Sequence, residues 1–123
     1  MNKSKAKNEL QIDTSEIHDV LLNIGIPPNL LGYLYIVFSM QLIISDPEYL
    51  HYITKGLYVD VAARYNSTPS RVERAMRHAI GAGWLYGNID YINQIFKYCI
   101  NDKKGAPSNS LFLSGLYYYL QNT

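Results

Sequence analysis

The sequence predicts an all-α domain of about six helices, packed as a compact orthogonal bundle. Three observations carry this. Apolar residues recur at three- and four-residue spacing in one segment after another. No stretch of useful length alternates apolar and polar residues as a half-buried strand does. Capping residues, glycines and prolines divide the segments at helical lengths. At 123 residues the chain has the size of one domain, and with 48% apolar residues it can bury a single core.

Taken in order, residues 1–12 read as a flexible basic arm and residues 13–123 as the folded domain. Thr14 or Ser15 is expected to cap a first helix that ends at Gly25, with Ile17, Val20, Leu21 and Ile24 on one face. Pro27-Pro28 forces a turn and starts a second helix, Asn29 to Ser45, which is apolar almost all round and therefore central. Asp46-Pro47 ends it, and Pro47 to Tyr52 reads as a short helical turn. A third helix is expected over Leu57–Tyr65, a fourth over Pro69–Tyr86 and a fifth over Tyr91–Tyr98. Asn101 to Asn109, with Gly105 and Pro107, reads as a loop before a last helix over Ser110–Leu120.

Composition narrows the function classes. The start of the chain lacks the apolar core of a signal peptide. The longest apolar run, Leu30 to Ile44, falls short of the roughly 20 residues a membrane span needs. A lone cysteine, Cys99, excludes an internal disulfide and fits a reducing cytoplasm; as a small core residue it is not expected to be a nucleophile. His18, His51 and His78 lack metal-ligand spacing, so no metal is expected. No phosphate-cradling glycine loop and no placed carboxylate pair is present, which argues against an enzyme and against a cofactor. The twelve tyrosines fit core filling with wet hydroxyls. The net charge of +1 hides an asymmetry: residues 1–8 carry +3, residues 9–50 carry −6, and residues 51–80 carry +3. An acidic first half and a basic centre suggest one surface that faces a polyanion.

Residues 57–80 hold the motif that explains this surface. Val61-Ala62-Ala63 supplies the apolar and small positions of a helix-turn-helix, and Tyr65 closes its first helix. Asn66-Ser67-Thr68 makes the turn, with Asn66 suited to a left-handed backbone. Thr68 caps the next helix and Pro69 takes its first position. At 100° per residue, Val72, Ala75, Met76, Ala79, Ile80 and Gly83 share one arc, while Ser70, Arg71, Arg74, Arg77 and His78 share the opposite one. Three arginines on one face just after a turn is the layout that major-groove reading requires. Glu73 either pairs with Arg77 four residues on or accepts a hydrogen bond from a cytosine amino group.

The segment Ser70-Arg71-Val72-Glu73-Arg74-Ala75-Met76-Arg77-His78-Ala79-Ile80 resembles the recognition helix of the sporulation-initiation response regulators of spore-forming Firmicutes. Ile24-Gly25-Ile26-Pro27, Gly32-Tyr33-Leu34-Tyr35, Ile53-Thr54-Lys55, Leu57-Tyr58, Ala62, Tyr65-Asn66, Gly87-Asn88-Ile89-Asp90, Asn101 and Lys104-Gly105 extend the resemblance, in order and spacing, to that family's C-terminal effector domain. It covers roughly residues 14–120. The resemblance implies a six-helix DNA-binding domain that reads a short box in double-stranded DNA and regulates transcription with the housekeeping sigma factor.

Carried over by position, Arg71, Glu73 and Arg74 would contact base edges. Ser67, Ser70, Arg77 and His78, with Lys55 and Lys104, would hold the backbone or support the readers. Residues 87–100 resemble the surface that touches the RNA polymerase sigma factor. The sequence departs from the family pattern in three ways. The residues ahead of the first helix are too few for a phosphoacceptor receiver domain, so the chain reads as a domain of a longer regulator or as a receiver-less protein, with Met1 and the polar arm favouring the second. Asn29 and Leu31 stand where the family tends to carry basic residues. Ile36-Val37-Phe38 replaces charged residues, so that surface is expected to be apolar. Leu111, Leu113, Leu116, Tyr117, Tyr118, Tyr119 and Leu120 make the last helix apolar on more than one face, which suggests a homodimer through residues 110–120. The alternative to a transcription factor is a receiver-less interaction module that modulates a full-length relative or the polymerase; such a module would not need Arg71, Glu73 and Arg74 in reading order.

Overall fold

The computed structural model describes residues 12–96 and 105–122, and among these residues six α-helices form and no strand does. Most of the expected arm, the end of the fifth helix with Cys99, and the loop positions 101–104 lie outside the described residues.

Helix α1 is Thr14–Ile24, and its cap is Asp13 in place of the expected Thr14 or Ser15. The Asp13 carboxylate accepts from the Glu16 amide at 3.3 Å and from the Ser15 hydroxyl at 2.6 Å. An ionised acceptor outcompetes a neutral hydroxyl for the same orphan N–H groups. Gly25 ends the helix at φ 104°, a left-handed conformation that a residue with a Cβ resists.

Helix α2, Leu31–Ser45, starts two residues later than expected, because the turn through Pro27 uses Leu30 in an extended conformation. It is the central helix, packed against α1 and against three helices that follow it in the chain. That position overturns the expectation for Ile36-Val37-Phe38. Ile36 and Val37 are buried and Phe38 is half-buried, and the exposed apolar residues of this helix are Leu31 and Leu34. A helix that is apolar all round carries no signal for which of its faces meets water.

Pro47–His51 is a 3₁₀ turn, as expected, and a single π turn over Ile53–Leu57 follows it. There the Leu57 amide donates to the Tyr52 carbonyl at 2.9 Å, five residues back. Helix α3 is Tyr58–Arg64 and α4 is Pro69–Tyr86, the latter with its expected bounds and its Thr68 cap. Helix α5, Ile89–Phe96, begins two residues early because Asn88 caps it, accepting from the Tyr91 amide at 3.1 Å. Helix α6 is Asn109–Gln121, capped by Ser108.

The deepest packing is between α2 and α4. A Cβ at Gly32 would lie 2.0 Å from the Ala75 carbonyl oxygen, so the absence of a side chain there lets the two helices cross in contact. A second nucleus joins α4, α5 and α6: the rings of Trp84, Phe96 and Phe112 pack with centroids 5.3 to 5.8 Å apart, Phe96 stacked on Phe112 and Trp84 edge-on to Phe112. The last helix is less greasy outside than expected, since Phe112, Leu113, Leu116 and Leu120 are buried in this core. Tyr118 stands out from it, and Leu111 lies at the margin of exposure.

Candidate nucleic-acid interface

The helix-turn-helix is built from α3, α4 and the turn between them. Ala62 is buried at the crossing, whereas Ala63 faces solvent. Asn66 takes φ 53°, the left-handed turn position expected of it. The Ser67 amide donates to the Ala62 carbonyl at 2.8 Å, which folds the chain back at the end of α3. The Thr68 hydroxyl accepts from the Arg71 amide at 3.3 Å and starts α4 cleanly at Pro69. Tyr65 fixes the turn to the core by packing against Tyr35 and Phe38 of α2, with centroids 5.5 and 5.7 Å away. Arg64 lies over the Tyr65 ring at 5.1 Å and over Phe38 at 5.8 Å, which keeps a cation beside the turn.

The two arcs of α4 separate as the spacing predicts. Val72, Met76, Ala79, Ile80 and Gly83 are buried and Ala75 is half-buried. Ser70, Arg71, Arg74, Arg77 and His78 are exposed together on the outer arc. Among the described residues, neither Arg71 nor Arg74 has an ion-pair partner, so both guanidinium forks face solvent. Glu73 takes the first of its two expected roles: its carboxylate receives Arg77 Nε at 2.9 Å and Nη2 at 3.2 Å. This bidentate bond holds the Glu73 carboxyl below its usual range.

Lys55 is exposed on the π turn beside Thr54, and Thr54 lines a groove with Tyr58, Pro69, Ser70 and Glu73 at the start of α4. On its other side, Lys55 lines a groove with His51 and Ser110 at the start of α6. The structure therefore brings Lys55 and Ser70 to the same end of α4 as the arginines. Ser67 is half-buried in the turn itself, and Lys104 lies outside the described residues.

Two residues of this region escape sequence reasoning. Arg64 carries no motif signal beyond its charge. Asn109 reads as loop, yet it is a buried helical residue whose Nδ2 donates to the Tyr58 hydroxyl and to the Glu73 carbonyl, both at 3.0 Å. Leu85 and Tyr86 at the far end of α4 and Ile89 at the start of α5 are exposed apolar residues at or next to the expected polymerase-facing stretch.

Among the described residues no group of three or more His, Cys, Asp or Glu side chains could hold a metal ion, and no helix is long and apolar enough to cross a membrane. A family model described as "Sporulation initiation factor Spo0A C terminal" matches residues 17–120, the greater part of the chain.

Proposed function

The chain belongs to the Spo0A C-terminal family, a DNA-binding regulatory family, and on that premise we propose that it reads a short box in double-stranded DNA with α4. The observation that carries this reading is the exposed pair Arg71 and Arg74 on the outer arc at the capped start of α4, neither with an ion-pair partner among the described residues. A helix about 10–12 Å across fits a major groove about 12 Å wide. At about 1.5 Å per residue, Arg71 and Arg74 stand roughly one base-pair step apart along the helix, so each can take its own base. Each guanidinium can donate two parallel hydrogen bonds to guanine O6 and N7.

Backbone contact comes from the residues around this pair. Arg77 and His78 lie further along the same arc, and Lys55 and Ser70 flank its start. The α4 N-terminus adds the amide groups and partial positive charge that favour a phosphate. These contacts set register and not sequence. Glu73 keeps Arg77 in place in the free protein, and base contact by Glu73 would require exchange of that bond for a cytosine amino group.

Two partners follow as further parts of the proposal. The stretch 87–100 meets the polymerase sigma factor, with Ile89 and its neighbours Leu85 and Tyr86 offering an apolar contact edge. Homodimerisation through residues 110–120 rests on a smaller surface than the sequence suggests, chiefly Tyr118 and Leu111. A DNA reader of this kind works in the cytoplasm.

The test separates reading from holding. Arg74→Ala should cost about 1–3 kcal/mol on the preferred duplex and relax discrimination at one base pair. Arg77→Ala should weaken all duplexes alike and flatten the salt dependence by about one unit. Fluorescence anisotropy on preferred and scrambled duplexes over a salt series reads both. Uniform loss in both variants would refute base reading by Arg74.

A further inference from the structure

Asn109 sits where three helices meet, and the meeting point lies directly behind the reading surface. It is the first residue of α6 and only 6% exposed. One Nδ2 group makes two long-range bonds: to the hydroxyl of Tyr58, 51 residues back on α3, and to the backbone carbonyl of Glu73, 36 residues back on α4. The Glu73 carbonyl already has an intrahelical partner, so Asn109 takes its second lone pair. Glu73 is therefore held twice, at the carboxylate by Arg77 and at the carbonyl by Asn109.

The arrangement is poor as a device for stability alone. Asn109 Oδ1 is buried without a partner among the described residues. An unpaired buried acceptor offsets much of what the two donated bonds contribute. What the side chain does supply is geometry: it ties the recognition helix at the turn between Arg71 and Arg74, and it ties the same atom to the helix that precedes the turn.

We propose that Asn109 is a positioning residue for DNA reading, which through its bond to the Glu73 carbonyl fixes the seat of α4 against α6 so that Arg71 and Arg74 meet their bases in register. The inference rests on the proposed base-reading role of that pair. A shift of α4 of well under one base-pair step would spoil bidentate contacts while leaving phosphate contacts largely intact. The signature of Asn109 is thus the ratio of specific to nonspecific affinity, and not affinity or folding as such.

The obvious change, Asn109→Ala, leaves the Tyr58 hydroxyl buried without its partner and endangers the fold. The double change Asn109→Leu/Tyr58→Phe removes both polar ends at nearly constant volume, and such paired replacement is close to neutral for stability. The double variant should therefore melt near the unchanged chain in circular dichroism. Its ratio of affinities for the preferred and a scrambled duplex should fall about tenfold, the scale of one lost base contact, with nonspecific affinity unchanged. Tyr58→Phe alone leaves the tie to Glu73 in place and should keep the ratio. A folded double variant with an undiminished ratio overturns the inference and leaves base reading untouched. The same holds if Tyr58→Phe alone lowers the ratio as far. An unchanged chain with no sequence preference overturns the base-reading role, and this inference with it.

Discussion

Placing one methyl group at the α2–α4 crossing tests the packing that aims the recognition helix. In an isolated helix, Gly32→Ala would be favourable by about 1 kcal/mol, since alanine loses less backbone freedom than glycine. Here the new Cβ would lie 2.0 Å from the Ala75 carbonyl oxygen and 2.8 Å from Ala79 Cβ. Ordinary carbon–oxygen contact needs about 3.3 Å, so the helices must part by more than about 1 Å. The obstacle is backbone, which cannot turn aside as a flexible side chain can. Overpacking of this kind costs about 1–3 kcal/mol or more. Because it falls on the largest helix–helix interface, the upper part of that range applies. The net expectation is a loss of about 2 kcal/mol, or roughly 8 °C in Tm for a domain of this size. Gly81→Ala serves as the control: it lies in α4 where a Cβ would meet nothing within 4 Å among the described residues, and should gain up to about 1 kcal/mol. Urea and thermal unfolding followed by circular dichroism read both. A Gly32→Ala chain as stable as the unchanged one would refute the close crossing.

Two more expectations follow from the same structure. Phe112 is fully buried against Trp84 and Phe96, so Phe112→Ala should lose about 3–5 kcal/mol in urea unfolding by opening a cavity between α4, α5 and α6. The hydrogen bond from Arg77 lowers the Glu73 pKa, so its contribution is full above the unfolded carboxylate value and is lost as acid takes the pH through the lowered folded value. Glu73→Gln should therefore lower Tm slightly at pH 7, on the order of a degree for an exposed pair, with the gap closing in acid melts.

The legible parts of the fold are those with local causes. Thr68 followed by Pro69 gave α4 its start, and Asn66 gave the turn its left-handed residue, because capping and backbone preference act within a few positions. The two arcs of α4 followed from period alone. The start of α1 was less legible, since Asp13, Thr14 and Ser15 can all cap, and only the ionised one does. Burial of Ile36-Val37-Phe38 was hidden because a uniformly apolar helix does not announce its exposed side; that depends on how many neighbours cover it. The π turn at Ile53–Leu57 has no local signal. In the candidate site, the residues on one helix were legible and those joined across the chain were not. Asn109 reaches partners 36 and 51 positions away, and no pattern in residues 101–110 points to them.

In the proposed function, Arg71 and Arg74 on the outer arc of α4 read bases in duplex DNA. Selection of bound sequences from a random duplex pool, run in parallel on the unchanged chain and on Arg74→Ala, tests it most directly. Base reading by this pair should give one short enriched box for the unchanged chain, containing guanines, with one position losing its preference in Arg74→Ala. A pool that stays random with the unchanged chain, or an identical box from both proteins, would contradict it.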